Sequence, residues 1–591
     1  MQGWGGTVHH VVDQDTGFTT RLSATIITLI SQYYYPHRAG QPRVKAAAVN
    51  GTRTAIPARK VGGEAGHPAS MVGGDAASAP LRDLGQEEVH MADYDAIVIG
   101  AGLGGLTAAS LLAKNGFKTL VLEQSDIIGG CCSTYEAQGY RFDVGASIVE
   151  IIHPMERFFE LMGKKREDYI ELVPCDPIYS FIAPDGRRFS YPTDIEETTK
   201  VIASIAPEDV EGWKKFSRLG FEMIDKMMDA MMLSPMKTLP EAMSMVIKYP
   251  DTMRFLPLLL RTHQAVTRKY YKNPVIQSSV AFQSYFAGAP PEIGSGIFGF
   301  IALTEHMGIY YPRGGMISIP EGMARAGREH GLEVRTGSKV ERILVSEGTA
   351  RGVRLEDGTE MTSSIVVSNV NAKVAYLKMV GPDNLPRWAV KAISSYRHSM
   401  PCPMIYVGLD TRPDLEAHHT IVTGSIDAMN EVWIDYYVKD LIPKTAMSLV
   451  CWPTEADPSL APEGHHVLNF LCNAPAPYAP LGDNWDRIKD RYREEAIESL
   501  ERHVLPGVRD HITYMEVSTP LDFERRLLSP QGSIYGLFSD MTSLALFRPH
   551  ARSRAVKNLY LTGSSTHLGG GVPTTIASGI ITSGYILKDR G

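Results

Sequence analysis

DAIVIGAGLGGLTAASLLAKNG, residues 95–116, reads as a short buried strand, a glycine-rich turn and a helix. Gly100, Gly102 and Gly105 form a G-x-G-x-x-G pattern, with a further glycine at Gly104. The first glycine permits a tight turn, the second lets the backbone approach a pyrophosphate, and the third lets helix and strand pack closely. The helix N-terminus then faces the phosphate charge. The stretch predicts a dinucleotide-binding turn.

The next stretch, KTLVLEQSDIIGGCC, adds a second strand that ends in an acid. Glu123 follows Gly105 by eighteen residues, a distance at which a carboxylate accepts hydrogen bonds from a ribose diol. A strand before the glycines, a helix after them and this acid together predict a bound dinucleotide. They do not distinguish NAD from FAD.

Composition excludes several classes of protein. The 591 residues are 44% hydrophobic and 21% charged, as in a globular protein with a sizeable core, so disorder is only local. A formal charge of -7 gives a nucleic-acid partner no electrostatic support. Six cysteines, without Cys/His spacing for a metal, favour a reduced, cytoplasmic chain with no metal site. Because no apolar run reaches about 18 residues, any membrane contact is expected to be peripheral.

Residues 1–90 differ from the rest of the chain. They are rich in small residues, glycine and proline and have no sustained apolar period, which predicts a largely disordered extension. The part from Thr16 to Lys60 is basic and free of acids, as a transit peptide also is. Met91 opens MADYDAIVIG, where a dinucleotide-binding protein normally starts. We therefore interpret the late glycine motif as the result of an upstream extension.

The double glycine decides between the two dinucleotides. The spacing from Glu123 to Gly129 and Gly130 resembles the E-x5-G-G element of the FAD-dependent amine oxidase and phytoene desaturase superfamily. The resemblance implies FAD, with the double glycine beside its pyrophosphate. Many members carry arginine at the next position, whereas this chain has Cys131. The two consecutive cysteines, Cys131 and Cys132, are similar to the retinol saturase branch. We interpret the cysteines as small residues packed against the cofactor, with dithiol redox chemistry as the alternative.

Two distant segments carry the same resemblance. The block GIYYPRGGMISIPEGM, continuing to SSIVVSN, is similar to a phytoene desaturase block in which the residue matched by Val340 faces adenine through its backbone. The second segment is NLYLTGSSTHLGGGVPTTIASGIITSGYIL, near the end of the chain. By resemblance, Gly563 and Ser564 lie by the FAD linker, and Gly571 and Val572 lead into a helix beneath the flavin.

The spacing of these FAD segments predicts an interleaved architecture. The expected fold class is α/β: a Rossmann-like FAD-binding domain of the amine oxidase and phytoene desaturase type, interleaved with a discontinuous α+β substrate domain. The FAD-binding domain is expected to comprise residues 91–175, 309–372 and 546–591, and the substrate domain residues 176–308 and 373–545.

A methionine-rich stretch in the first insertion, residues 221–271, allows two interpretations. Methionine is flexible and polarizable, which suits a surface that accommodates a long hydrocarbon, but its periodicity favours an ordinary helical core. Basic residues flank the apolar ones, as in a helix at an anionic lipid surface, and a solvated charged face is the alternative. These flanking residues are Arg254, Arg261, Arg268, Lys269 and Lys272.

The resemblance implies an oxidoreductase that acts on a long isoprenoid polyene, namely carotenoid desaturation by hydride transfer to FAD, with a quinone or oxygen as electron acceptor. Carotenoid isomerases and retinol saturases share these elements, and a flavin-binding scaffold without catalysis is a further alternative. Desaturation also releases a proton, so a carboxylate near the polyene is expected to serve as base or to stabilise a carbocation. Glu305, which matches an acidic position of the family, is the predicted catalytic residue; the neighbouring His306 is also interpretable as a satisfied histidine.

Overall fold

The computed structural model describes residues 92–234, 238–286, 288–399, 401–437, 448–472, 484–539 and 548–590. The expectation for residues 1–90 therefore lies outside the described residues. The strands are β1 (Tyr94–Ile99), β2 (Thr119–Leu122), β3 (Thr134–Ala137), β4 (Tyr140–Asp143), β5 (Leu172–Pro174), β6 (Tyr179–Ile182), β7 (Arg188–Tyr191), β8 (Tyr310–Pro312), β9 (Glu333–Arg335), β10 (Val340–Ser346), β11 (Thr349–Leu355), β12 (Glu360–Ser368), β13 (Met404–Leu409), β14 (His419–Val422), β15 (Ser448–Cys451), β16 (His466–Cys472), β17 (Ile512–Ser518) and β18 (Leu559–Leu561).

The helices connect and cover these strands. They are α1 (Leu103–Lys114), α2 (His153–Met162), α3 (Ile195–Ile205), α4 (Val210–Leu233), α5 (Leu239–Lys248), α6 (Leu256–Leu259), α7 (His263–Tyr270), α8 (Pro274–Ala281), α9 (Ile301–Thr304), α10 (Ser318–Arg328), α11 (Arg387–Ser395), α12 (Ile426–Tyr437), α13 (Pro453–Ala456), α14 (Trp485–His503), α15 (Pro520–Leu527) and α16 (Val572–Arg590).

The first sheet takes its strands from three distant parts of the chain. Its order is β10-β11-β12-β1-β2-β9, and β18 also pairs with β12. Strands β18, β12, β1, β2 and β9 are parallel, whereas β10 and β11 are antiparallel. The apolar run of β1 follows from this position: Ala96, Ile97 and Val98 are fully buried because helices cover both faces of a central parallel strand.

The second sheet collects strands from the two insertions. Its order is β17-β13-β16-β15-β14-β6-β7, and every pair is antiparallel except β14 with β6. The predicted fold class, an α/β FAD-binding fold interleaved with a second, mostly antiparallel part, is confirmed. The bounds of the individual segments stay predictions, because the described residues belong to one compact unit.

The first and last helices of the described chain pack against each other. Helix α1 contacts both α10 and α16 on the first sheet. The contact with α16 is close at Gly579, where a Cβ would lie 2.4 Å from the Thr107 Cβ and 2.6 Å from the Gly104 carbonyl oxygen. A glycine is therefore required in α16 for it to reach the glycine-rich turn.

A buried carboxyl group joins the β3–β4 hairpin to the P-R-G-G turn. Asp143 accepts hydrogen bonds from the Thr134 hydroxyl (2.7 Å), the Tyr311 hydroxyl (2.6 Å) and the Met316 amide (2.9 Å). Gly315 turns the chain with a φ of +90°, and a Cβ there would lie 2.7 Å from the Thr134 hydroxyl oxygen. Burial raises the pKa of Asp143 to about 6, although its three hydrogen bonds oppose the rise.

The methionine-rich stretch contributes both to the core and to the surface. In α4, Met223 is buried in the largest apolar cluster and Met232 is also buried. In the segment that follows, Met243 and Met253 are 51% and 52% exposed. Within the described ranges, no helix combines the length and apolarity needed to cross a bilayer.

Candidate active site

The glycine-rich turn between β1 and α1 leaves no room for side chains. Gly100 has a φ of +94°, which favours glycine. A Cβ on Gly105 would lie 2.2 Å from the Gly100 carbonyl oxygen, and a Cβ on Gly102 would lie 2.6 Å from the Asn369 Nδ2 atom. Gly102 is also the N-cap of α1 and provides no side-chain cap, so the first amides of the helix face outward without a side-chain partner. The turn therefore presents backbone donors to a ligand.

Glu123 stands at the carboxyl end of β2, next to this turn. Its Oε2 atom accepts a hydrogen bond from the Ala101 amide at 2.8 Å, and its Oε1 atom accepts one from the Ser125 amide at 2.9 Å. These bonds fix the carboxylate beside the first turn, where it lines a cavity. Its predicted hydrogen bonds to a ribose stay a prediction.

The double glycine brings a second loop to the first turn. Gly129 has a φ of +106°, its amide donates to the Ala101 carbonyl at 2.9 Å, and it pairs with Gly102 as an isolated parallel bridge. Gly130, with a φ of +61°, lies on the same cavity wall. The backbones of the two loops thus approach a ligand from adjacent positions.

The two cysteines after the double glycine are free thiols. Cys131 lines the cavity, and burial raises its pKa to about 11 although the Arg526 guanidinium opposes the rise. Cys132 donates through its Sγ atom to the Met316 carbonyl at 3.4 Å, and burial raises its pKa as well. A raised pKa is the opposite of what a reactive thiolate needs, which favours the packing interpretation over dithiol chemistry.

The C-terminal block completes the site from the opposite side. Gly563 has a φ of +83°, and its amide donates to the Ser578 hydroxyl at 2.9 Å. A Cβ on Gly563 would lie 2.3 Å from the Asn369 Oδ1 atom. Gly571, with a φ of +127°, leads directly into α16, so a second helix N-terminus reaches the cavity.

These loops enclose a cavity of about 390 Å³. Most of the sequence-predicted binding residues line it: Gly100, Gly102, Gly104, Glu123, Gly129, Gly130, Cys131, Val340, Gly563, Ser564, Gly571 and Val572. Gly105 is not part of the lining, because it packs α1 against the turn. Glu305 is not part of it either.

Sequence reasoning missed several polar residues of the wall, among them Asn369 and Arg526. Asn369 follows β12 directly and fills the space between Gly102, Gly104 and Gly563. Arg526 lines the cavity beside Cys131 and donates to the Ser133 hydroxyl at 2.9 Å. It therefore places a guanidinium near the position after the double glycine, where many relatives carry arginine. Polar residues at the carboxyl end of a parallel strand were the available signal for Asn369.

The wall fits FAD. Two helix N-termini and three glycine turns supply unhindered backbone amides and partial positive charge for a pyrophosphate. A Cβ atom at Gly102, Gly104 or Gly563 would lie less than 3.0 Å from the Asn369 side chain. These three positions of the wall therefore have space only for glycine. Glu123, the predicted ribose acceptor, and the Arg526 guanidinium line the same wall.

Comparison with known proteins identifies the family. Residues 103–587 match the flavin containing amine oxidoreductase family. The phytoene desaturase (neurosporene-forming) of Rhodobacter capsulatus is 31% identical over 508 residues, which cover 83% of this chain and 93% of the relative. The chain belongs to the phytoene desaturase family.

Two further likenesses agree with this assignment. The phytoene desaturase (lycopene-forming) of Pseudescherichia vulneris is 30% identical over 503 residues, covering 83% of this chain and 99% of the relative. A putrescine oxidase structure with redesigned cofactor binding superposes with a TM-score of 0.56 at 17% identity, over 84% of this chain and 99% of its own; this likeness concerns the fold alone. As a member of the phytoene desaturase family, the chain is an FAD-dependent oxidoreductase.

The predicted catalytic residue lies behind the cavity wall. Glu305 is only 2% exposed, and its Oε2 atom accepts a hydrogen bond from the Gln283 amide at 3.2 Å. The neighbouring His306 bonds through Nδ1 to the Thr193 carbonyl at 2.9 Å, as a satisfied histidine does. Glu150, which sequence reasoning missed, does line the cavity.

Proposed function

We propose that the protein desaturates a long isoprenoid polyene of the phytoene type. One carbon of the polyene loses a hydride and its neighbour loses a proton, so the two carbons form a double bond. Bound FAD supplies the hydride acceptor, and the electrons pass on to a quinone or to oxygen. The residues of this chain hold the polyene against that acceptor and exclude water from it.

One observation carries the proposal: the cavity that is lined by the FAD-binding loops is also lined by a set of apolar side chains. Its lining includes Met232, Phe286, Phe298, Ile301, Leu449 and Leu471. A hydrocarbon offers no group for a hydrogen bond, so such a wall binds it through burial of apolar surface. Relatives that are named phytoene desaturases, at about 30% identity over most of the chain, support the same substrate class.

A surface beside this apolar wall is suited to a membrane. Its exposed apolar side chains are Met243, Ile247, Met253 and Leu260, with exposures of 51%, 75%, 52% and 49%. We call these four residues the apolar surface. The exposed basic residues Lys248, Arg254 and Arg261 lie among them in the sequence. Apolar insertion and attraction to anionic headgroups would act together there.

The apolar surface is connected to the cavity through direct packing. Helix α6, next to Met253 and Leu260, contacts the turn of 3-10 helix Gly296–Phe300. A Cβ on Gly296 would lie 2.6 Å from the Leu258 carbonyl oxygen, so the two segments touch at backbone distance. Phe298 of that turn lines the cavity. The segment that carries part of the apolar surface is therefore adjacent to a segment of the cavity wall.

Turnover of phytoene tests the proposed function. Flavin-loaded protein, given phytoene in liposomes without oxygen, is expected to lose the absorbance of oxidised flavin and to form products with additional double bonds. In a parallel sample with prereduced flavin, products with fewer double bonds would instead indicate saturation, and products of unchanged formula isomerisation. Persistent flavin colour without any product would support a flavin-binding scaffold.

Liposome sedimentation tests the membrane surface. Replacing Ile247 with glutamate is expected to weaken binding to anionic liposomes, because the substitution places a charge in the most exposed part of the apolar surface. Wild-type binding is expected to weaken with salt, since each basic residue near the headgroups contributes about 1 kcal/mol. Trp388→Glu is the matched control, because Trp388 is 55% exposed on a different helix, α11. Equal weakening by both substitutions would contradict the assignment of this surface.

A further inference from the structure

The backbone on both sides of Glu150 has distinctive local geometry. The preceding residue, Val149, exchanges two backbone hydrogen bonds of 2.9 Å with Tyr310. The following residue, Ile151, has a φ of +49°, which is rare for a β-branched residue and costs conformational energy. Backbone strain of this kind is found preferentially at functional sites. Glu150 itself lines the cavity, and its buried Oε2 atom has no hydrogen-bond partner among the described residues.

Glu305 forms the second half of an acidic pair. The Gln283 amide satisfies one of its oxygens, while the buried Oε1 atom has no hydrogen-bond partner in the described part of the chain. The Tyr179 hydroxyl lies close to Glu305, and burial together with the charges of both glutamates raises its pKa. Two carboxyl groups that share a buried site do not both ionise at neutral pH, since like charges there repel strongly.

The surroundings determine which of the two ionises first. Burial raises the pKa of Glu150 to about 7. Burial also raises the pKa of Glu305 well above its ordinary value, and the charge of Glu150 raises it further, whereas the Gln283 amide and the nearby Tyr179 hydroxyl oppose the rise. Tyr179 and Tyr535, the other titratable groups that face Glu150, have pKa values well above 10 because they are buried. Near pH 7 the pair therefore carries at most one negative charge, on the residue at the cavity wall.

We propose that Glu150 is the base that removes the proton from the polyene, and that Glu305 stays protonated behind it as a positioning residue. This inference rests on the proposed function. The proton leaves the carbon next to the one that loses the hydride and bonds to a carboxylate oxygen of Glu150. The electron pair of the broken C–H bond becomes the new double bond, and the hydride would go to FAD held by the glycine-rich loops.

The other titratable groups of the wall are poorly suited to this role. Both oxygens of Glu123 already accept hydrogen bonds from backbone amides. Cys131 and Tyr535 are protonated at neutral pH, because burial raises their pKa values. Arg526 is a cation. Among the described residues that line the cavity, Glu150 combines a free carboxylate oxygen with a pKa near the working pH, which general-base catalysis favours.

The experiment compares Glu150→Gln and Glu305→Gln in the flavin-loaded enzyme with phytoene in liposomes. Loss of a general base is expected to lower kcat roughly 10²- to 10⁴-fold. Glu150→Gln should show this loss with unchanged flavin content, and Glu150→Asp should recover part of the rate. In the wild type, kcat should rise with pH through about 7, because the base acts only when it is deprotonated. Glu305→Gln should retain this rise and lose much less activity, since glutamine resembles the neutral acid.

A charge-state measurement makes the inference testable without turnover. The infrared band of a protonated carboxyl group should titrate near pH 7 in the wild type, and Glu150→Gln should remove that titration while Glu305→Gln keeps it. Glu160→Gln, at an exposed position of α2, is the surface control. Full activity of Glu150→Gln, or a large loss confined to Glu305→Gln, would overturn the assignment. A wild type that fails to convert phytoene yet shows the titration contradicts the proposed function instead.

Discussion

Gly105→Ala is expected to yield protein that does not hold flavin. The new Cβ would lie 2.2 Å from the Gly100 carbonyl oxygen and 3.2 Å from the Asn369 Cβ. Because the first of these neighbours is backbone, α1 must move away from β1, and the helix N-terminus moves with it. Overpacking of this kind typically costs about 1–3 kcal/mol in stability. Flavin absorbance per protein after gel filtration should fall close to zero, together with all activity.

Gly584→Ala provides the matched control for this substitution. Gly584 lies in α16 and is exposed to solvent, and no atom lies within 4 Å of the position that a Cβ would take. Alanine in a helix interior is favoured over glycine by roughly 0.5–1 kcal/mol, so this variant should keep its flavin and be slightly more stable. Gly105→Ala protein with full flavin content and an unchanged Tm would contradict the role of this turn.

Asp143→Ala is expected to cause the largest loss of stability among single polar substitutions considered for this protein. It removes the acceptor of three buried donors, on Thr134, Tyr311 and Met316. Each unpaired buried donor costs about 1–3 kcal/mol, and the two hydroxyls can reorient, so we expect a loss of about 3 kcal/mol at pH 5. Urea unfolding followed by tryptophan fluorescence measures it.

The pH dependence of this loss follows from the raised pKa. Asp143 titrates at about 6 in the folded protein and at 3.8 in a model peptide, so the folded state binds the extra proton between these values. Its contribution to stability is therefore complete below about pH 4 and decreases as pH rises through 6. The difference between wild type and Asp143→Ala should be smaller at pH 8 than at pH 5. Asp185→Ala, at an exposed turn, should change stability little at either pH; a difference for Asp143→Ala that grows with pH would contradict this account.

The local part of the site was predictable from the sequence because its determinants lie close together in the chain. The turn requires a positive φ at Gly100, and there is no space for a side chain at Gly105. Both requirements arise within one strand-turn-helix unit. The position of Glu123 follows from the length of α1 and β2. The interleaved fold class followed from the resemblance of three separate segments to one family.

The choice between two glutamates was not predictable in the same way. Glu150 and Glu305 are both acids in apolar surroundings; Glu150 lies outside the helices and strands, and Glu305 begins the 3-10 helix Glu305–Met307. Which of them reaches the cavity depends on the bridge between Val149 and Tyr310 and on the packing of the turn at Glu305 against Gln283. Asn369 and Arg526 escaped prediction for the same reason, because their neighbours are distant in sequence.

The meeting of the first and last helices has a consequence for synthesis. The hydroxyl of Thr562, just after β18, donates a hydrogen bond of 3.4 Å to the carbonyl oxygen of Gly104, at the start of α1. These two residues are 458 positions apart in the sequence. At a translation rate of about 5–20 residues per second, Thr562 is added roughly 20–90 s after Gly104. During that time α1 lacks α16 and β12 lacks β18, so the nascent chain exposes apolar surface that the finished protein buries. A message truncated before Val572 would therefore produce a chain that is nearly full length and has only part of its cofactor site.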